Sequence, residues 1–369
     1  MKKIALIYGT RPEAIKMAPI YLALRDSKNF EPIIIITAQH REMLDQVNRF
    51  FNIEVGYDLN VMTERQSLSA LTSKIISRLD EVLSKERIDF TLVQGDTTST
   101  FAGALSSFYH HVPVGHVEAG LRTYDMNNPF PEEANRKLTA TLANFHFAPT
   151  QRARRNLIKE NIPSDIVEVT GNTVVDALKW IIANKRKSLE REIKKFSLSK
   201  QDKFILLTMH RRENWGVPMQ NALRGLKRIL KIHPEYKIIF PVHLNPTVKE
   251  IAFNELGKDA NTILTAPVSY ITLVSLLEKC DFVLTDSGGI QEEAPVFGKP
   301  CLVLRKTTER PEAVEAGVSK IIGTDTKVVF ENTLKLIEDR EEYQKMSHAI
   351  SPFGDGHASE KILNILEQL

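Results

Sequence analysis

Short runs of apolar and β-branched residues alternate along the chain with longer amphipathic stretches of helical period. That alternation is the pattern of parallel sheets covered by helices on both faces, an α/β class. In the first half, strands are expected at Ile4–Tyr8, Pro32–Thr37, Phe90–Gln94, Val112–Val117, His146–Ala148 and Val167–Thr170. In the second half they are expected at Phe204–Thr208, Lys237–Pro241, Thr262–Leu264, Phe282–Thr285, Cys301–Leu304 and Lys320–Ile322. Each set suffices for one doubly wound, Rossmann-like sheet. The expected division is 1–171, 172–355 and a C-terminal helical segment, 356–369, for which packing back on the first domain is one option that the sequence leaves open. The change of domain is set at Gly171-Asn172, where a strand ends and a helix begins. The run Lys185–Asp202, dense in Lys, Arg and Glu, reads as a solvated helix or linker and not as a binding patch.

A length of 369 residues agrees with two domains, since single cores stop growing at roughly 250–300 residues. The formal net charge is only +3, so no basic field is available for a long polyanion, and no nucleic-acid partner is expected. Any anion must be met by local groups. Cys280 and Cys301 sit in or beside apolar runs without metal-ligand spacing, and read as buried free thiols. No metal or cofactor is implied. The apolar run after Met1-Lys2-Lys3 stops at Gly9, too short for a signal peptide. No run approaches the ~18 apolar residues of a membrane span. A soluble, cytoplasmic protein is expected.

Open α/β sheets bind ligands outside the carboxyl ends of their strands, and two such domains in series imply a cleft. The first strand runs into Gly9-Thr10-Arg11-Pro12-Glu13-Ala14-Ile15-Lys16. Thr10 can cap a helix with Glu13, Pro12 suits its first turn, and Arg11 joins free amides at the helix start. By itself this segment is as much a plain helix cap as an anion site. Later strand ends give Gln94-Gly95-Asp96-Thr97 and His116-Val117-Glu118-Ala119-Gly120-Leu121-Arg122. Then Pro131-Glu132-Glu133-Ala134-Asn135-Arg136 opens a helix with Glu132 and Arg136 four apart on one face. Read alone, that spacing is equally a surface ion pair. Three carboxylates, Asp96, Glu118 and Glu132, expected near one cleft point instead to acid–base chemistry.

In the second half, a strand ends in His210-Arg211-Arg212-Glu213-Asn214, placing a histidine beside arginines. His243, at the next strand end, is as readily structural. The segment Thr285-Asp286-Ser287-Gly288-Gly289-Ile290-Gln291-Glu292-Glu293 combines a strand end, two glycines and a helix start, which suits a diphosphate, with Glu293 set for ribose hydroxyls. Thr307–Glu312 adds Arg310 before a helix-starting proline. Only the first half clusters carboxylates. The diphosphate is therefore expected mainly on the second domain, with the sugar reaching toward acids on the first.

The ordered motifs, from the Gly9–Lys16 segment through Gln94–Thr97, His116–Arg122, Pro131–Arg136, His210–Asn214, Asp286–Ala294 and Thr308–Glu312, resemble those of the non-hydrolysing UDP-N-acetylglucosamine 2-epimerases. That resemblance implies a GT-B-like fold of two Rossmann-like domains. It implies catalytic positions at Asp96, Glu118, Glu132, Arg136 and His210. It implies substrate contacts at Arg11, Lys16, Ser287, Gly288, Gly289, Glu293 and Arg310, toward UDP-N-acetylglucosamine and UDP. An activating second nucleotide-sugar would meet Gln39, Glu42, Arg65, Arg211 and His243, with Glu42 standing where some members have Gln. A homodimer and a role in bacterial surface-polysaccharide synthesis are also implied.

The carbon-2 proton of such a sugar is not acidic enough for direct exchange, and no nicotinamide fingerprint favours oxidation. The route expected is loss of UDP to a glycal and its re-addition. The rivals are a hydrolysing epimerase, a GT-B glycosyltransferase and a non-enzymatic sugar-nucleotide sensor.

Overall fold

A computed structural model describes residues 1–369 except 39–40, 64–65 and 199–201, together with the side chains of 42 and 43. The described chain divides into two compact units, Met1–Lys179 with Phe353–Leu369, and Trp180–Pro352.

The first unit holds β1 (Lys2–Tyr8), β2 (Phe30–Ile36), β3 (Val55–Asp58), β4 (Phe90–Gln94), β5 (Val114–Val117), β6 (Phe145–Ala148) and β7 (Val167–Val169). They form one parallel sheet in the order β3-β2-β1-β4-β5-β6-β7. The second unit holds β8 (Lys203–Thr208), β9 (Tyr236–Pro241), β10 (Thr262–Thr265), β11 (Phe282–Thr285), β12 (Cys301–Val303) and β13 (Ser319–Ile321). Its parallel order is β10-β9-β8-β11-β12-β13. Both orders reverse direction beside the first strand of the sheet, so each unit has a switch point, between β1 and β4 and between β8 and β11.

The strand absent from the sequence reading is β3. Its four residues, Val-Gly-Tyr-Asp, include a glycine and lie at the sheet edge, largely exposed. Neither alternation nor an apolar run marks such an edge. Interior strands do carry the signal. In β8, Ile205 and Leu207 enter one buried cluster while Phe204 and Leu206 enter another, because successive side chains face opposite sides of the sheet.

The helix Thr173–Asn184 begins just after Gly171-Asn172, and the division between units falls inside it. The basic-acidic run that follows is not merely solvated. It forms the helix Arg186–Lys194, whose Leu189 is buried and whose Leu189 carbonyl accepts the hydroxyl of Ser275. Within the first unit, the helix Ala358–Gln368 packs on the helix Arg11–Asp26, and Ser359 donates its N–H and hydroxyl to the buried Asp176. Cys280 and Cys301 are buried, unpaired thiols. No described helix is long and apolar enough to cross a membrane.

Candidate active site

In the first unit, β1 and β4 lie side by side with Ile7 opposite Val93, so the turns after them are neighbours. Gly9 is required there: a Cβ would stand 2.1 Å from Thr37 Oγ1 and 2.4 Å from Ser99 Oγ. Thr10 caps the helix Arg11–Asp26. The buried Glu13 carboxylate accepts N–H groups from Gly9 (3.2 Å) and Thr10 (2.8 Å) and the Thr97 hydroxyl (2.6 Å), tying the two turns together. Burial raises the Glu13 pKa, and those hydrogen bonds offset only part of the rise. The Arg11 guanidinium, half-buried at the same helix start, has no protein partner among the described residues.

Asp96 follows β4 and takes two hydrogen bonds from Arg136, from Nε at 3.0 Å and Nη2 at 2.7 Å. The carbonyl of Asp96 accepts from Asn135 Nδ2 at 2.9 Å. Arg136 is buried and also donates to Glu133 Oε2 at 3.0 Å. Thus the arginine meets its i−3 carboxylate and a strand-end aspartate, where its spacing had suggested Glu132. Burial pushes the Glu133 pKa up, but the N–H groups of Thr123 and Tyr124 and the Arg136 guanidinium outweigh it, so it is lowered overall. Glu132, the first residue of its helix, keeps one carboxylate oxygen, Oε2, buried with no hydrogen-bond partner among the described residues.

Glu118 follows β5 with a φ of 65°, a left-handed conformation that costs a non-glycine residue about 1–3 kcal/mol. Its carboxylate is fixed by an ion pair with Lys16 and by Asn172 Nδ2 at 3.0 Å. Both partners are well shielded from water. Asn172 had marked only a boundary in the sequence; its place at a strand end was the available signal.

In the second unit, β8 and β11 pair with Thr208 opposite Thr285. The residues after them meet at Asp286, which is fully buried. It accepts N–H groups from His210 (3.1 Å) and Arg211 (3.0 Å), and Asn214 Nδ2 at 2.9 Å. His210 remains part-exposed, its ring stacked on that of His243 with centroids 6.3 Å apart. Its pKa is lowered, chiefly by burial and also by Arg211 and His243, against the pull of Asp286. His243 itself is exposed, with Nδ1 accepting from the Asn245 N–H at 3.2 Å.

Ser287, Gly288 and Gly289 lead into a helix of only six residues, Gly288–Glu293. Its short length limits the dipole on which a diphosphate could draw. The positive groups nearby are arginines. Arg211 Nη2 donates to Glu309 Oε1 at 2.8 Å, and Arg305 pairs with Glu309 Oε2. Burial pushes Glu309 up, but Arg310, Arg211 and Arg305 together pull it down to about 2. Arg310 is buried with its Nε on Glu292 Oε1, so it braces the helix as well as facing the loop. The nearly buried Glu293 accepts from the Tyr270 hydroxyl at 3.3 Å. Asp286, Asn214 and Glu309 lay inside quoted motifs, yet side-chain type alone did not mark them as organisers. Gln39 and Arg65 lie outside the described residues, as does the side chain of Glu42. Among the described residues no group of His, Cys, Asp and Glu is placed to hold a metal ion.

Two Rossmann-ordered units with polar groups at their switch points define an α/β enzyme of GT-B-like fold. The family model for UDP-N-acetylglucosamine 2-epimerase matches residues 22–367. The chain belongs to that family, and is an isomerase. It is 48% identical over 364 residues to the UDP-N-acetylglucosamine 2-epimerase of Bacillus subtilis (strain 168), covering 99% of this chain and 94% of that one. The crystal structure of the Neisseria meningitidis enzyme bound to UDP-GlcNAc superposes with a TM-score of 0.91 at 47% identity, covering 100% of both chains. The Methanocaldococcus jannaschii enzyme, in complex with UDP-GlcNAc and UDP, gives a TM-score of 0.84 at 34% identity over 100% of both chains.

Proposed function

We propose that the protein interconverts UDP-N-acetylglucosamine and UDP-N-acetylmannosamine by inverting carbon 2, through elimination of UDP to a glycal and re-addition. The observation that carries this reading is a division of chemistry. Carboxylates held by fixed partners stand at the strand ends of the first unit, and an arginine-lined glycine turn stands in the second. Relatives of the same family that are solved with UDP-GlcNAc and UDP support the ligand.

In this mechanism the carbon 1–oxygen bond to UDP breaks as a carboxylate takes the carbon-2 proton, leaving a carbon 1–carbon 2 double bond. UDP then re-forms the bond to carbon 1 while a second acid delivers a proton to the opposite face of carbon 2. Asp96, Glu118 and Glu132 are the proton-transfer groups, with Arg136 orienting Asp96. His210 is a further catalytic group; Arg11 and Lys16 in the first unit, and Ser287, Gly288, Gly289, Glu293 and Arg310 in the second, are the substrate-binding groups. Cationic donors aimed at the departing diphosphate lower the barrier to bond cleavage. A second UDP-N-acetylglucosamine at His243, with Arg211 shared between it and the diphosphate of the first, a homodimeric state and a supply of product for surface polysaccharide complete the reading.

The test is incubation with UDP-N-acetylglucosamine alone in heavy water, followed by NMR and mass spectrometry of early product. UDP-N-acetylmannosamine carrying one deuterium at carbon 2 is expected. Unlabelled product would overturn the elimination route. Accumulation of free N-acetylmannosamine with UDP would favour hydrolysis.

A further inference from the structure

We infer that the Glu309 carboxylate is an internal stand-in for the nucleotide's diphosphate, holding the arginines beside Gly288 until UDP displaces it. This rests on the reading that UDP binds at the Ser287–Gly289 turn. Its geometric basis is the contact between Gly288 and Glu309. A Cβ on Gly288 would lie 3.0 Å from Glu309 Oε1 and 3.9 Å from Arg211 Nη2. The carboxylate therefore lies against the bare face of the glycine that a phosphate would need.

The two oxygens of Glu309 are shared between two cations, Oε1 with Arg211 and Oε2 with Arg305. Arg305 is anchored from its other side by Glu213 Oε1 at 3.2 Å. Arg211 is left half-satisfied, because its Nε is buried without a hydrogen-bond partner among the described residues. A guanidinium fork is best met by two oxygens of one anion on Nε and Nη2. Glu309 offers Arg211 one oxygen, whereas a phosphate offers two and a greater charge. The carboxylate is thus a sufficient partner for an empty site and a poorer one than the ligand. It keeps Arg211 and Arg305 in place, spares them an unpaired state, and opposes UDP by competition. A site that must let UDP leave carbon 1 and then re-engage it gains from such a moderated grip.

The experiment is calorimetric titration of the wild-type protein and Glu309→Gln with UDP and with uridine, which lacks the phosphates. Removing the internal anion should tighten UDP binding by roughly 3- to 10-fold, the scale of a partly screened ion pair. Uridine affinity should not move. Unchanged or weakened UDP binding with unchanged uridine binding would overturn the inference alone. Should the variant not fold, the wild-type complex with UDP still decides: its crystal structure should show Glu309 withdrawn from Arg211, and a retained pair refutes displacement. A wild-type protein that binds UDP no better than uridine removes the diphosphate site itself, and this inference with it.

Discussion

The carboxylate of Asp286 accepts the backbone N–H of His210 at 3.1 Å and lies 3.4 Å from the Nδ1 of the same residue. One buried acid at the end of β11 thus fixes the turn after β8 and biases the imidazole that the turn carries. The Arg211 N–H and the Asn214 amide complete its shell, and a carboxylate can accept every one of these donors.

Replacing Asp286 by Asn leaves one oxygen in the place of Oδ2, which can accept all three donors, but sets a buried NH2 in the place of Oδ1, facing the His210 N–H donor. A loss of about 1–3 kcal/mol in stability is expected, the cost of a buried unpaired group. Because Asp286 raises the His210 pKa against the larger lowering by burial, its removal should push that pKa further down. Proton NMR titration of the His210 ring checks the direction; an upward shift would contradict the arrangement.

The proposed proton-transfer groups make a sharper demand. Asp96→Asn, Glu118→Gln and Glu132→Gln should each cut turnover by roughly 10²-fold or more with thermal melting little changed for Glu132→Gln. That variant keeps its stability because the wild-type Oε2 is already buried without a hydrogen-bond partner among the described residues. Glu118→Gln should also destabilise, since Lys16 would lose its charge partner in a shielded place. Steady-state assays on the three variants that return near-normal rates would remove these residues from the mechanism.

Much of this was legible in the chain because parallel α/β sheets write their interiors as apolar runs and their sites as polar strand ends. The run Phe282–Thr285 followed by Asp286-Ser287-Gly288-Gly289 gave both a strand and a glycine turn from one stretch. The edge strand β3 was illegible because an exposed Val-Gly-Tyr-Asp need not be apolar. The partners of Arg136 were illegible for a different reason. Helical spacing names Glu132 and Glu133 as neighbours, but tertiary placement of β4 brings in Asp96, and the sequence interval of 40 residues carries no mark of it. Glu309 shows the same limit, since only the fold lays residue 309 against residue 288.

The last prediction concerns acid stability and turns on two histidines paired across β5 and β6, His116 and His146. Both are fully buried. Burial lowers His116 to about 4, a hydrogen bond to the Gly95 carbonyl opposing it and the charges of Arg122 and Arg136 adding to it. Burial lowers His146 to about 3, with neighbouring His116 and Arg122 adding to the effect, and neither of its ring nitrogens has a hydrogen-bond partner among the described residues. In the unfolded chain both would titrate near 6.5. Between pH 6.5 and about 4 the unfolded state therefore binds protons that the folded state refuses. Stability is fully present above pH 6.5 and falls as pH drops through this window, by at most about 1.4 kcal/mol per pH unit for each histidine. Glu13, whose pKa is raised on folding, opposes the trend because the folded state holds its proton more tightly. A difference measurement cancels that opposition. His146→Leu removes both unpaired nitrogens at comparable volume, so its denaturant midpoint should depend less steeply on pH from 6.5 to 4 than that of the wild type. Above pH 7 the variant should be at least as stable, because the buried imidazole gains nothing from its surroundings. Parallel pH profiles for the two proteins would show that His146 does not refuse its proton in the folded state.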